Sequence, residues 1–200
     1  MSDAAENALS CLEEAVDRVL NLVKGAAYGL RVAAKRIGDL TASASSSLPG
    51  HAARSADEME ALILALSDGE ENLSEIASLA LGEHLRAFLG AALTLPALPN
   101  LPETPAEVEK LAGVPGALKN APFEFALTLQ LAHTALRGGM LDRKALDALG
   151  GGDLELVFSG GKVKLYREGD RVALSEEQLA AMGKAVVEAA RAIRLRLSAA

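Results

Sequence analysis

The sequence predicts a mainly α-helical protein with a small β unit near its C-terminus, followed by a last helix. Two observations favour this fold class. Apolar residues recur at helical spacing through most of the chain up to Leu149. From Leu154 they alternate with polar residues, which is the period of a β-strand. We therefore expect a helical bundle with a long N-terminal heptad helix, a three-stranded antiparallel β-meander and a final helix.

The N-terminal segment carries the strongest pattern. Its apolar residues are spaced alternately three and four apart, as at the a and d positions of a coiled coil. They are Leu9, Leu12, Val16, Val19, Val23, Ala26, Leu30, Ala33, Ile37 and Leu40. Such a stripe is typical of a helix inside an intramolecular bundle or of a seam between chains. In the second case, we expect an oligomer interface made of Leu9, Leu12, Val16, Val19, Val23, Ala26, Leu30 and Ile37.

Helical spacing resumes after the segment of small residues at positions 42–50 and continues to about Leu89. Ser67 and Glu70 have the spacing of a capping box, in which the two side chains bond to each other's backbone N–H. The sequence therefore predicts that one helix ends near Ser67 and that another begins there.

Proline and glycine divide the rest of the chain. Six of the seven prolines lie between residues 96 and 122, where they exclude a continuous helix. Within this stretch, Thr104 to Glu107 reads as a helix start with proline at its first position. Two further helices are expected at 123–136 and 142–149, and the triple glycine at 150–152 is a candidate hinge. We expect a helical bundle (1–95), a Pro-rich connection (96–121), a helical hairpin (122–149) and a β-meander with a helix (150–200).

The C-terminal unit shows three alternating runs. Their apolar residues are Leu154, Leu156 and Phe158, then Val163 and Leu165, then Val172 and Leu174. Ser175 and Gln178 then have capping spacing for the last helix. Because successive side chains of a strand point to opposite faces, we expect Val163 and Leu165 to face that helix. Basic residues and a tyrosine would then form an exposed patch, a possible nucleic-acid contact made of Lys162, Lys164, Tyr166, Arg167 and Arg171.

Composition and motifs argue against several classes of function. Residues 1–152 hold 12 basic and 20 acidic residues, a poor balance for a duplex-DNA binder. The single cysteine, Cys11, excludes an intramolecular disulfide and reads as a small apolar filler beside the heptad stripe. The three histidines show no metal-ligand spacing, and an enzyme would need residues such as His133 and Glu124 to meet in a pocket. We expect no enzyme activity, no cofactor and no metal, and a cytoplasmic protein without a membrane segment.

Two functions remain for the sequence. The long heptad and the acidic helical body favour a non-catalytic assembly or scaffold subunit that self-associates or docks on a larger complex, with a homo-oligomer or another protein as partner. The alternative is a small subunit that contacts single-stranded DNA or RNA weakly through the C-terminal β-meander, as in an RNA-guided effector or a DNA-binding complex. From residue 150 onward, the strands followed by LSEEQLAAM resemble the strand-then-helix end of single-strand-binding transcriptional coactivators. The overall architecture resembles that of small helical subunits of CRISPR effector complexes.

Overall fold

The structure, a computed structural model, describes the backbone of residues 2–44, 52–95, 98 and 100–199. For the same residues it also describes the side chains and their surroundings, except at residues 2, 3, 34, 36–44, 52–68 and 70. The elements in chain order are α1 (Ser2–Ala44), α2 (Ala52–Ala92), α3 (Pro105–Ala112), α4 (Phe123–Leu136), α5 (Arg143–Ala148), β1 (Leu154–Phe158), β2 (Lys162–Tyr166) and α6 (Glu176–Ala199). The predicted fold class, mainly α with a small β unit and a final helix, is confirmed.

Helix α4 is the centre of the molecule. It is apolar around most of its circumference, and eight of its 14 residues are buried. A helix of that kind needs neighbours on all sides. Its neighbours are α2, α5 and α6, together with described residues of the segment 93–104 that joins α2 to α3, here called the crossover. The predicted bounds of this helix are confirmed.

Helices α2 and α4 approach each other closely at Gly82. A Cβ atom placed there would lie 2.6 Å from the Cβ of Ala132 and 3.0 Å from Leu101 Cδ2. These distances are shorter than van der Waals contact, so only glycine fits at this crossing. The neighbours Leu81 and Leu85 are fully buried beside it.

Helices α1 and α2 pack as an antiparallel pair. Leu30 of α1 lies against Gly69 of α2, where an added Cβ would be 3.1 Å from Leu30 Cδ2. The predicted helix boundary at Ser67 is wrong, because α2 runs without interruption from Ala52 to Ala92. Gly69 costs helix stability, but its missing side chain makes room for Leu30.

Helix α6 packs antiparallel to α1. Its Gly183 faces Val16 and Leu20, with an added Cβ at 3.0 Å from Val16 Cγ1. It also contacts α2 and α4. The division into domains stays a prediction, but the last helix of the predicted C-terminal unit lies against the first helix of the N-terminal bundle.

Side-chain caps are present at the predicted starts of α3 and α6. Thr104 Oγ1 accepts a hydrogen bond from the N–H of Glu107 at 3.2 Å, and Glu107 Oε2 accepts one from the N–H of Glu103 at 2.8 Å. At the start of α6 the two bonds are reciprocal: Ser175 Oγ accepts from the N–H of Gln178, and Gln178 Oε1 accepts from the N–H of Ser175. Both start signals read from the sequence are confirmed.

The sheet has two strands, so the third predicted strand is wrong. In the described part of the chain, β1 and β2 pair antiparallel, from Leu154 opposite Tyr166 to Phe158 opposite Lys162. The next segment turns away from β2: Arg171 forms an isolated bridge with Met140. The N–H of Leu174 donates to Ser74 Oγ of α2 at 2.8 Å. The alternation at Val172 and Leu174 reflects burial against helices and not sheet pairing.

Replacing Gly82 by alanine tests the contact between α2 and α4. Alanine favours helix by about 1 kcal/mol over glycine, but the new methyl would overlap Ala132 and Leu101. Overpacking of this kind costs about 1–3 kcal/mol. We expect Gly82→Ala to lower the free energy of unfolding, measured by urea denaturation followed by circular dichroism.

Gly90, on the same helix, provides the matched control. Nothing lies within 4 Å of a Cβ placed on it, so Gly90→Ala is expected to leave stability unchanged or raise it by up to ~1 kcal/mol. If both variants were equally stabilised, the close contact at Gly82 would be wrong.

Candidate interaction surfaces

The inward stripe of α1 is used within the chain. Leu9, Leu12, Val16, Val19 and Val23 are each 9% exposed or less and belong to the hydrophobic core. These five residues therefore correct the interface prediction: α2 and α6 cover them, so they are not free to meet another chain. Of the rest of the predicted interface, Ala26 is exposed and Leu30 half-buried against Gly69. Ile37 lies outside the described side chains.

Three ion pairs fix the direction of α6 on α1. Glu13 accepts hydrogen bonds from Arg191 at 2.7 and 2.9 Å. Glu6 pairs with Arg194, and Arg31 pairs with Glu176. Residue numbers rise along one helix as they fall along the other, as an antiparallel pair requires. The pairs are partly exposed and each contributes little stability, but together they specify the register.

The opposite side of α1 is exposed and partly apolar. Leu22 is 75% exposed, Tyr28 65% and Val32 37%. Gly25 and Gly29 lie between them, and nothing lies within 4 Å of a Cβ placed on either glycine. These residues, Leu22, Gly25, Tyr28, Gly29 and Val32, are named the outward face.

Sequence reasoning missed the outward face. A signal for it exists, because Leu22, Gly25, Gly29 and Val32 repeat the three-four-three spacing of the main heptad. Two glycines in that pattern read as breaks in a stripe and not as part of one. Only the positions of α2 and α6 show which of the two stripes remains uncovered.

The β-hairpin has the reverse orientation to the one predicted. Residues paired across antiparallel strands share a face, so Tyr166 lies with its partner Leu154, and both are buried. The other face carries Val157, Val163 and Leu165, each more than half exposed. The expectation that Val163 and Leu165 face the last helix is therefore wrong. The alternation was read correctly, but the larger ring of Tyr166 is the side chain that enters the core.

Tyr166 is fixed in the core by its burial and by a hydrogen bond from its hydroxyl. Its hydroxyl donates to the carbonyl oxygen of Ala173 at 2.6 Å, and the residue is 1% exposed. Burial raises the pKa of Tyr166 to about 12. The Lys164 ammonium lies 4.7 Å from the ring centroid. A ring so enclosed cannot stack on a base, so Tyr166 is not part of an exposed nucleic-acid patch, and this corrects the prediction.

The basic residues of that patch differ in their surroundings. Lys162 and Lys164 are exposed on β2. Arg167 is exposed but pairs with Asp153 at 3.3 Å. Arg171 lies 3.7 Å from Glu75 of α2 and donates to Asn72 at 3.3 Å. Two lysines with neutralised arginines beside them form a weaker anion site than the sequence predicted.

A cleft of about 900 Å³ lies between the crossover, α2, α4 and α5. Three of its polar side chains donate to carbonyl oxygens of the crossover. Arg86 Nη1 donates to Leu98 at 2.5 Å, and Gln130 Nε2 donates to Glu103 at 2.6 Å. His133 Nε2 lies 2.8 Å from the carbonyl oxygen of Leu101. These side chains hold a proline-rich segment that cannot form a regular backbone ladder.

Four charged residues of the cleft form ion pairs with one another. Lys144 lies 2.5 Å from Glu103, and this hydrogen bond holds the pKa of Glu103 below its ordinary value. Arg86 binds Glu83 through two nitrogens at 2.7 and 2.9 Å. Glu124, named above as a possible catalytic partner of His133, is not among the residues that line the cleft. The cleft therefore does not assemble the pair that an enzyme was expected to need.

The remaining candidate residues are scattered. His84 is half-buried on α2, and His51 lies outside the described residues. Cys11 is exposed on α1, which corrects the expectation of an apolar filler. In the described part of the chain, no group of three or more His, Cys, Asp or Glu residues could hold a metal ion. Over the same residues, no helix is long and apolar enough to cross a membrane.

Replacing Tyr166 by phenylalanine tests its buried hydroxyl. The raised pKa means that the folded state holds this proton more tightly than the unfolded state does. Stability is therefore fully present below pH ~10, the pKa of an unperturbed tyrosine, and falls as pH rises toward the folded value of about 12. Wild type should lose more stability than Tyr166→Phe over this interval, as measured by urea unfolding at each pH. Parallel losses in the two proteins would contradict the burial of Tyr166.

Comparisons with known proteins found no match to this chain. No protein-family model matches the chain. No curated protein matches it, and no solved structure does. The surfaces described above are therefore the basis on which a function is proposed: the outward face of α1, the two lysines of β2 and the cleft beside the crossover.

Proposed function

We propose that this chain is a non-catalytic assembly or scaffold subunit that self-associates, or docks on a larger complex, through a helical surface. The observation that carries the proposal is the outward face of α1. It exposes Leu22 and Tyr28 by 75% and 65% beside glycines with open space around them. Large apolar side chains that are grouped on one helix face mark interaction sites more often than single exposed ones do.

The hydrogen bonds of the side chains that line the cleft support a non-catalytic role. Its donors, Arg86, Gln130 and His133, are bonded to carbonyl oxygens of the crossover. Of its carboxylates, Glu83 and Glu103 are paired with basic side chains, and Glu107 accepts a hydrogen bond from the N–H of Glu103. Groups engaged in this way stabilise a loop and are not poised to transfer protons to a substrate.

The alternative, contact with single-stranded DNA or RNA, is supported by the exposed ammonium groups of Lys162 and Lys164. Its test is binding of a fluorescent single-stranded oligonucleotide at low salt. Binding should weaken steeply as salt rises and should be lost in the double variant Lys162→Glu, Lys164→Glu. A wild-type chain that binds no oligonucleotide at low salt would end this alternative.

Charging the outward face tests the leading proposal. In sedimentation equilibrium, wild type should exceed its monomer mass of 20.7 kDa as concentration rises. The double variant Leu22→Glu, Tyr28→Glu should remain a monomer, because association would bury two carboxylates against apolar surface. Both positions are exposed, so helicity by circular dichroism should not change.

Leu195→Glu is the matched control. Leu195 is 61% exposed on α6 and lies outside the outward face, so this variant should associate as wild type does. For docking on another protein, the comparison is affinity capture with wild type and with the double variant as bait. The proposal is overturned if wild type is monomeric and captures no protein that the double variant fails to capture.

A further inference from the structure

Resting on the proposed function, we infer that the occupant of the outward face is a second copy of this chain, packed antiparallel across a two-fold axis level with residue 26 of α1. The inference depends on how charge is distributed along α1. Residues 2–22 hold five acidic and one basic residue, whereas residues 23–44 hold four basic and one acidic residue. A helix with opposite charge in its two halves is complementary to itself when the second copy runs the other way.

Some charged residues of α1 form ion pairs with α6, and others do not. Glu6, Glu13 and Arg31 are paired with residues of α6. Asp17, Lys24 and Lys35 are exposed on α1. Of the described exposed charges of α1 without an ion pair, Glu14, Asp17 and Arg18 precede the outward face, Lys24 lies within it and Lys35 lies beyond it, so the balance is acidic before residue 22 and basic after it.

The spacing of these residues specifies the register of the pair. Asp17, Lys24, Tyr28 and Lys35 are separated by seven, four and seven residues, each close to a whole number of turns, so all four lie along one flank of α1. A two-fold axis across antiparallel helices brings that flank of one copy beside the same flank of the other. With the axis level with residue 26, Asp17 lies opposite Lys35 of the second copy.

The same register brings a second complementary contact. Lys24 lies opposite Tyr28 of the second copy, where an ammonium over an aromatic ring is attractive. Each contact occurs twice because of the symmetry. Gly25 and Gly29 lie within the crossing, and the open space around them lets the two backbones approach closely. In a parallel pair, by contrast, Asp17 of one copy would lie about 27 Å along the helices from Lys35 of the other, and these ion pairs would not form.

The size of the face sets the expected affinity. From residue 14 to residue 38, α1 is about 36 Å long, and a helix is about 10 Å wide. The pair would bury roughly 700 Å² in total, below the 1,200 Å² or more of stable specific complexes. We therefore expect a weak dimer with a dissociation constant in the micromolar range, seen at protein concentrations of about 10–500 μM.

A charge exchange tests the register. Lys35→Glu and Asp17→Lys should each weaken dimerisation about three- to tenfold, because each places like charges opposite one another twice. The double variant Asp17→Lys, Lys35→Glu restores opposite charges in the antiparallel pair and should recover most of the wild-type constant. In a parallel pair, Asp17 and Lys35 of different copies would be about 27 Å apart, so the double variant would not rescue the single ones.

Disulfide trapping tests the direction separately. In a Cys11→Ser background, a chain with Asp17→Cys is mixed with a chain with Lys35→Cys and oxidised. The antiparallel pair predicts mixed disulfides between the two chains and few between identical chains. In the wild-type dimer, the two Cys11 residues would be about 45 Å apart and should not cross-link, since each lies 15 residues from the axis.

The possible outcomes separate this inference from the function it rests on. A dimer that cross-links through Cys11, or that fails the charge exchange, overturns the antiparallel arrangement and leaves self-association in place. A monomeric wild type that captures another protein through the outward face overturns the second copy as occupant and leaves docking in place. A monomeric wild type that captures nothing through this face overturns both.

Discussion

The enclosure of α4 is the constraint on which the rest of the structure depends. A helix that is apolar on nearly every side cannot lie at a surface, so α2, α5, α6 and the crossover surround it. At one of these contacts, Gly82 against Ala132, the two helices are so close that only glycine fits. This placement leaves α1 outside the central layer. It covers α2 and α6 with one side and presents the other to solvent.

Enclosing α4 also determines the chemistry of the cleft. Polar residues on a buried helix need partners, and the proline-rich crossover needs donors, because proline supplies carbonyl oxygens without N–H groups. Gln130 Nε2 and His133 Nε2 supply two of these donors by bonding to Glu103 and Leu101, whereas Gln130 Oε1 and Thr134 Oγ1 of α4 are buried without a partner among the described residues. A histidine beside carboxylates in a cleft of this size would suggest catalysis if it were considered alone. Its bond to the crossover indicates that it is part of the framework.

Much of the architecture was predictable from local patterns, and the errors have a common cause. Features that depend only on residues nearby in the sequence were predictable. They are the start of α4 at Phe123, the caps at Thr104 and Ser175, and the strand period after residue 153. Periodicity does not show what covers a face. The heptad therefore predicted a stripe at Val16 but not that α6 would cover it, and the alternation predicted two sheet faces but not that Tyr166 would point inward. The outward face was missed for the same reason.

The hairpin has a consequence for the behaviour of the protein at high concentration. Its outer face is apolar at Val157, Val163 and Leu165, and a two-stranded sheet leaves β2 with an unpaired edge. Such an edge is a template for adding strands from other molecules and so for aggregation. Lys162 and Lys164 place two positive charges along this five-residue strand. They act as gatekeepers that repel an identical strand, so any chemistry that neutralises them, such as acetylation, would remove that protection.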